Sequence, residues 1–135
     1  MLRDKAYDYF VNKDFNCAET LLHAANDEYN LELTDDAFRA IGGFGGGMGC
    51  GNVCGALVGC IAGISAKKIA ERAHVTKGLK DLTTEMVNEF CQGLGSDNCK
   101  ILKDKYWTKE KGCVEVVLLA ADELEKVMAR YLAAG

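Results

Sequence analysis

The chain has 135 residues, a net charge of −4 and 49% hydrophobic residues, and it contains no proline. This length is typical of one domain, so we expect a single domain over residues 1–135. The absence of proline disfavours disordered linkers and turn-rich all-β folds. The negative net charge argues against nonspecific binding to nucleic acid, so we expect no nucleic-acid partner.

One uncharged stretch, from Ala40 to Ala66, has to be tested as a membrane span. Its first part is too rich in glycine to hold a helix. The remainder, about Val53 to Ala66, would be roughly 21 Å long as a helix, short of the ~30 Å that a bilayer core requires. The charged N-terminus also lacks the apolar core of a signal peptide. We therefore predict no membrane span, a buried helix in this stretch, and a cytoplasmic protein with reduced cysteines.

Capping signals predict the first three helices. A short helix is expected from Leu2 to about Asn12. Asn16, followed three residues later by Glu19, has the pattern of a capping box and predicts the start of a second helix. Thr34, followed by two aspartates that suit the positive end of a helix, predicts a third, which should stop at Gly42.

The second half of the chain begins with a glycine-rich loop over residues 42–51, which has seven glycines in ten residues. We expect close backbone packing there, around the Cys54 sulfur or a small ligand, and Asn52 as the cap of the buried helix. A fifth helix is predicted at about 73–91, a short sixth from about residue 96, and a long last helix after Gly112. The predicted fold class is therefore all-α, a compact bundle of about six or seven helices.

Four of the seven cysteines fall at the predicted helix starts, and these are Cys17, Cys54, Cys99 and Cys113. Unpaired backbone amides and the helix dipole favour negative charge at such positions. A thiolate is both a nucleophile and a metal ligand, so these thiols are the candidate site residues. Cys54 is expected to be the most reactive, because the glycine loop before it removes side-chain bulk.

The remaining cysteines and the two histidines give weaker signals. Cys60 and Cys91 lie in apolar helix faces and are interpreted as packing residues. Cys50 belongs to a C-x-x-x-C pair, which is not the spacing of thioredoxin-like or zinc-ribbon motifs. His23 and His74 are interpreted as structural or surface residues. The lysines between positions 100 and 111 flank two candidate thiols, but a lysine run is usually a solvated face.

Glycines 55, 59 and 63 repeat every four residues along the buried helix. Such a repeat leaves a flat stripe on which another helix or subunit can approach closely. Together with the high apolar content, this stripe leads us to expect a homo-oligomer.

At these residues the chain resembles the C_GCAxxG_C_C family of small redox-active proteins. The matching features are Cys17 in FNCAET, the CGAxxG block from Cys54 to Gly59 with its upstream glycines, Cys99 in SDNCKIL and Cys113 in KGCVEVV. The resemblance covers about residues 4–130. It implies an all-helical domain from a bacterium or archaeon and a redox role for the four shared cysteines. It implies no particular substrate, and Cys50, Cys60 and Cys91 lie outside the pattern.

Three functions fit these residues. In the first, the protein performs thiol–disulfide exchange or electron transfer with an unidentified redox partner protein, Cys54 or Cys17 attacking and a second cysteine resolving the mixed disulfide. In the second, it is a metal or iron–sulfur carrier in which Cys17, Cys54, Cys99 and Cys113 bind an iron–sulfur cluster or zinc. In the third, it is a helical interaction module whose cysteines only pack.

Overall fold

The structure, a computed structural model, describes residues 1–134. Seven α-helices form in this range, and they are α1 (Leu2–Tyr7), α2 (Cys17–Tyr29), α3 (Asp35–Ile41), α4 (Gly55–Lys68), α5 (Leu79–Leu94), α6 (Cys99–Tyr106) and α7 (Val114–Ala134). A π-helical turn over Asp8–Asn12 extends α1. Two isolated antiparallel backbone pairs, Val53 with Asn98 and Thr108 with Gly112, are the only β pairing in these 134 residues. The all-α prediction is confirmed.

Helices α2 and α3 begin where the sequence predicts, and α2 begins with the predicted capping interaction. The Asn16 side chain accepts a hydrogen bond from the Glu19 amide at 3.0 Å, and the Glu19 carboxylate accepts one from the Asn16 amide at 3.0 Å. This reciprocal pair is a complete capping box. Helix α3 follows Thr34 and ends before Gly42, as expected.

Two predicted helix starts are wrong. The buried helix begins at Gly55 and its N-cap is Cys54, not Asn52. The backbone of Asn52 is instead engaged elsewhere, because its amide donates to Gly47 O at 2.9 Å and its carbonyl accepts from the Cys99 amide at 2.6 Å. Helix α5 begins only at Leu79, since Gly78 adopts a left-handed conformation that interrupts the expected helix.

The sixth helix starts slightly later than its sequence signal indicates. Asn98 is its N-cap, and the Asn98 side chain accepts a hydrogen bond from the Ile101 amide at 3.0 Å. Ser96, which the sequence favours as a cap, accepts a bond from the Asn98 amide instead. Cys99 is therefore the first residue of α6.

Helix α4 lies at the centre of the bundle and packs against α2, α5 and α7. Its side chains Leu57 and Ile64 are buried in one core with Leu21, Phe90 and Leu124 from those three helices. Burial of each such side chain contributes about 1.5–3 kcal/mol. The prediction of a buried helix in this stretch is confirmed. None of the helices between residues 1 and 134 combines the length and apolar character that a membrane span requires.

The glycine stripe of α4 is an intramolecular contact. A Cβ atom on Gly59 would lie 2.6 Å from the Ala18 carbonyl oxygen and 2.8 Å from Leu21 Cβ, both in α2. A Cβ on Gly63 would lie 2.9 Å from Ala25 Cβ in the same helix. Helix α2 therefore covers the stripe, and the argument from the stripe to a subunit interface is wrong. Self-association itself stays a prediction.

Candidate functional site

The four candidate cysteines all lie at helix starts. Cys17 and Cys99 are the first residues of α2 and α6, as predicted. Cys54 is the N-cap of α4, and Cys113 directly precedes α7, where its carbonyl accepts a hydrogen bond from the Val117 amide at 3.1 Å. Two of these thiols are thus in a first turn, and two lie one residue before it.

A short antiparallel backbone pairing, centred on Val53 and Asn98, joins the segments that carry Cys54 and Cys99. The Cys54 amide donates to the Asp97 carbonyl at 2.7 Å, and the Cys99 amide donates to the Asn52 carbonyl at 2.6 Å. These bonds join the segment before α4 to the segment before α6. Sequence reasoning missed Asp97 and Asn52 in this role, because they act through backbone groups that every residue type carries.

The glycine-rich loop packs its backbone directly against the thiols. Gly47 has a φ of +64°, and a Cβ there would lie 2.6 Å from Cys99 Cβ. A Cβ on Gly55 would lie 2.7 Å from Cys17 Sγ and 2.8 Å from the carbonyl oxygen of Phe44 in the loop. Only glycine fits these two positions. The close packing expected around the Cys54 sulfur is found at Cys17 Sγ instead.

Burial dominates the electrostatics of these thiols. It is the main reason that the pKa of Cys54 is raised to about 12, and the neighbouring Cys17 raises it further. Hydrogen bonds from the amides of Ala56 and Leu57 lower the pKa of Cys54, but by less. Burial likewise raises the pKa of Cys17, and the nearby Cys99 raises it further. A hydrogen bond from the Gly46 amide lowers this pKa, but by less than burial raises it.

The pKa of Cys113 is affected by two of the same cysteines, Cys17 and Cys99. Burial raises the pKa of Cys113, Cys17 and Cys99 raise it further, and the Lys103 ammonium group lowers it. Cys17 and Cys99 therefore lie within electrostatic reach of Cys54 and of Cys113. We refer to these four side chains as the thiol cluster.

The expectation that Cys54 is the most reactive thiol is contradicted. Its side chain is only 4% exposed. The amides at the start of α4 do favour its thiolate, but such a helix end supplies about 0.3–1 kcal/mol. Burial can move a thiol pKa upwards by as much as 3–5 units, or about 4–7 kcal/mol, and therefore prevails.

The other three cysteines stand apart from the thiol cluster in different ways. Cys60 is fully buried, and its thiol lies 3.7 Å from the Ala120 carbonyl oxygen, consistent with the expected packing role. Cys91 is half-buried on α5 and lies outside the apolar core. Cys50 is exposed in the loop, with its thiol 3.6 Å from Gly47 O.

The thiol cluster does not fit a metal ion in this conformation. Between residues 1 and 134, no three histidine, cysteine, aspartate or glutamate side chains converge closely enough to hold one. All seven cysteines are free thiols. Zinc or iron–sulfur ligation by Cys17, Cys54, Cys99 and Cys113 would therefore require these side chains to move.

The histidines occupy structural positions. His23 lies in α2 and stacks on Phe38, with ring centroids 3.7 Å apart, and on Tyr9, with centroids 4.7 Å apart. His74 is exposed in a short turn before α5. Neither histidine is among the groups that act on the pKa values of Cys17, Cys54 or Cys113.

Comparison with known proteins gives one match. Residues 15–127 match the family model described as "Putative redox-active protein (C_GCAxxG_C_C)", and the matched range contains the whole thiol cluster. No curated protein and no solved structure matches the chain. The family name writes GCAxxG, whereas this chain reads CGAxxG from Cys54 to Gly59, with glycine at the position that Cys17 Sγ crowds. Because the match extends over most of its length, the chain belongs to the C_GCAxxG_C_C family.

Proposed function

We propose that the protein performs thiol–disulfide exchange, with Cys17, Cys54, Cys99 and Cys113 acting as one site. The observation that carries this proposal is the close packing of the helix starts that bear these cysteines. Gly55, next to Cys54, packs against Cys17 Sγ, and two backbone hydrogen bonds join the segments before α4 and α6. Cys17 and Cys99 also lie close enough to Cys113 to raise its pKa. Packing alone would not require four thiols to gather from positions spread over most of the chain. Membership of a family described as redox-active supports the same function.

The exchange takes place in two balanced steps. The thiolate of Cys99 or Cys113, the two cluster thiols beside the lysines of α6, attacks a disulfide on the partner protein. A new S–S bond forms, the old one breaks, and one partner sulfur leaves as a thiolate that takes up a proton. A second cluster thiolate then attacks the mixed disulfide and releases the other partner sulfur. The cluster loses two electrons and two protons, and the partner disulfide gains them.

Burial assigns the inner thiols to the resolving step. Cys54 is shielded from solvent, so an incoming disulfide reaches the half-buried thiols first. Because burial raises the pKa of Cys17 and Cys54, both are neutral thiols at pH 7. A thiol and a disulfide are both uncharged, so the buried site tolerates the reduced and oxidised forms and disfavours only the thiolate between them.

The packing around the thiols indicates which disulfides to expect. Gly55, next to Cys54, packs against Cys17 Sγ, and Cys17 and Cys99 lie close enough to Cys113 to raise its pKa. We expect one of two pairings, either Cys17–Cys54 with Cys99–Cys113, or Cys17–Cys113 with Cys54–Cys99.

The test is reversible oxidation of the reduced protein by a small neutral disulfide such as 2-hydroxyethyl disulfide. Free thiols are counted by mass spectrometry after alkylation, before and after rereduction. We expect the wild-type protein to lose thiols in pairs and to regain them all. Serine substitution of any one of Cys17, Cys54, Cys99 or Cys113 should abolish one intramolecular disulfide.

The matched control is Cys91→Ser, which removes a half-buried thiol outside the cluster. It should oxidise like the wild type. If Cys91→Ser reduced disulfide formation as much as a cluster variant, the assignment of the four residues would be wrong. If the wild-type protein formed no intramolecular disulfide at all, thiol–disulfide exchange would be rejected as the function.

A further inference from the structure

The segment between Cys99 and Cys113 carries a charge opposite to that of the whole chain. It holds five lysines and two carboxylates, a net charge of +3, within a protein of net charge −4. Four of the lysines, at positions 100, 103, 109 and 111, form no ion pair with any side chain of residues 1–134. The fifth, Lys105, donates to the Leu94 carbonyl at 3.2 Å and lies against the body of the bundle.

The structure places Lys103 beside Trp107, in the lining of one surface depression. Lys100 lies one turn before Lys103 on α6, with its side chain against Gly51 of the glycine loop. The turn after α6 is closed by two backbone bonds between Thr108 and Gly112, of 3.2 and 2.7 Å. A Cβ on Gly112 would lie 3.8 Å from the indole nitrogen of Trp107, so this turn folds back beside the indole.

We call Lys100, Lys103, Trp107, Lys109 and Lys111 the basic surface. Trp107 is 49% exposed, and Ile101, in the same segment of the chain, is 56% exposed. A depression of about 260 Å³ is lined by Lys103, Asp104 and Trp107. A solvated lysine face does not need large apolar side chains at its centre. Tryptophan surrounded by charge is instead typical of the energetic centre of a protein interface.

The basic surface adjoins the thiol cluster. Lys100 follows Cys99 directly, and Lys111 precedes Cys113 by two residues. The Lys103 ammonium group is close enough to Cys113 to lower the pKa of that thiol. A protein bound here would therefore lie beside the two cluster thiols that flank the segment.

We propose that the basic surface is the docking site for an acidic protein that exchanges disulfides with the thiol cluster. The redox part of this inference rests on the function proposed above, whereas the docking part stands on charge and exposure. Opposite charges steer association and raise its rate, and the effect is lost when salt screens them. The exposed indole supplies the apolar contact at the centre.

Binding can be measured without any thiol chemistry, because Trp107 is the only tryptophan in the chain. The probe is a short peptide with several glutamates and one S-methylated cysteine, and the control peptide has lysines in place of the glutamates. We expect the glutamate peptide to shift the fluorescence of Trp107 at low ionic strength, and the lysine peptide to leave it unchanged. The shift should disappear at 1 M salt, where the screening length is about 3 Å.

Exchange is measured with the same two peptides as disulfide-linked dimers, and with 2-hydroxyethyl disulfide as an uncharged reference. The glutamate dimer should react about tenfold faster than the lysine dimer at low ionic strength. The double variant Lys109→Glu/Lys111→Glu should remove or reverse this preference, measured as the ratio of the rates with the two dimers, so that any change in thiol reactivity common to both dimers cancels. The matched control, Lys77→Glu/Lys80→Glu, reverses two exposed lysines near the start of α5 and should keep the preference.

The outcomes separate the two proposals. If the uncharged disulfide does not react but the glutamate peptide shifts the Trp107 fluorescence, the redox function fails and the docking surface stands. If both peptides react equally and neither shifts the fluorescence, the docking proposal is overturned while the redox function stands. A response to duplex DNA or to vesicles of anionic lipid, with none to the glutamate peptide, would reject a protein as the partner.

Discussion

At the scale of single residues, the thiols are governed by a competition between helix ends and burial. Each cluster cysteine lies where amides of a helix start favour a thiolate. Burial nevertheless raises the pKa of Cys17, Cys54 and Cys113. Cys17, Cys54 and Cys113 are therefore neutral thiols at rest, and accessibility decides which sulfur meets a reagent first.

Alkylation of the reduced protein at pH 7.5 should follow exposure. We expect Cys50, which is exposed, to react at least about a hundredfold faster than Cys54, because each pKa unit above the pH costs a factor of ten in thiolate. Peptide mapping after timed treatment with iodoacetamide measures both rates. Cys60 is the internal control, since it is fully buried and should react only after unfolding. Comparable rates at Cys50 and Cys54 would contradict the burial argument.

His23 should make the fold sensitive to mild acid. Burial among aromatic rings lowers the pKa of His23 in the folded protein, more strongly than nearby Asp27 and Glu19 raise it. Below pH ~6.5, the unfolded chain therefore binds the proton more readily than the folded chain does. The contribution of neutral His23 to the free energy of unfolding is therefore fully present above pH ~6.5 and decreases as the pH falls below that value.

The measurement is the melting temperature of the wild type and of His23→Phe between pH 7.5 and 5. The wild type should lose more stability over this range than the variant, which keeps an aromatic ring against Phe38 and Tyr9 but cannot titrate. His74→Phe is the matched control, because His74 is exposed and its replacement should leave the pH dependence unchanged. Parallel curves for the wild type and His23→Phe would refute this role.

At the scale of helices, the contact between α2 and α4 should be the least tolerant of added volume. We expect Gly59→Ala to destabilise the protein, because its Cβ would lie 2.6 Å from the backbone oxygen of Ala18. Overpacking of this kind costs about 1–3 kcal/mol, more than the ~1 kcal/mol that alanine gains over glycine in helix propensity. Urea denaturation measures the net change in the free energy of unfolding.

Gly43→Ala is the control, because it makes the same glycine-to-alanine change at a position with free space. A Cβ on Gly43 meets no atom within 4 Å, and the residue does not have a positive φ. We expect it to be neutral or to stabilise by about 0.4–1 kcal/mol, since alanine restricts the unfolded chain. Equal effects of the two substitutions would show that the helix contact is not tight.

The helix starts show how much of this fold can be predicted from local sequence signals. The capping box at Asn16 and the start of α3 after Thr34 follow from local signals, and both are present. The false start at residue 73 has a local cause, because Gly78 adopts a left-handed conformation. The misplaced cap at Asn52 arises where a local signal competes with a distant contact. Asn52 is taken up by the start of α6, which lies more than forty residues away in the chain.

The candidate site, like the fold, is only partly predictable from local sequence. Local sequence places all four cysteines at or next to helix starts, because caps and glycines mark those starts. Their mutual approach and the burial of Cys54 depend on the pairing of Val53 with Asn98 and on the packing of the glycine loop. No local pattern contains that information, and it reverses the expected reactivity of Cys54.

For the molecule as a whole, the thiol cluster joins helices that are far apart in sequence. Cys17 begins α2 and Cys113 precedes α7, so disulfides within the cluster would close loops over much of the chain. A crosslink restricts the unfolded chain more as its loop lengthens. Oxidation state should therefore be coupled to the stability of the entire bundle rather than to one local turn.

We expect the oxidised protein to be the more stable form, measured as the difference in urea unfolding free energy with and without dithiothreitol. In the chain-entropy account, a loop of about 15 residues contributes about 3 kcal/mol and one of about 100 residues about 4.7 kcal/mol. These two lengths correspond to the Cys99–Cys113 and Cys17–Cys113 loops of the two expected pairings. Peptide mapping of the oxidised protein identifies the pairing, and Cys91→Ser should leave the stabilisation unchanged. An oxidised form less stable than the reduced one, or a Cys54–Cys113 disulfide, would contradict the arrangement of thiols from which both pairings follow.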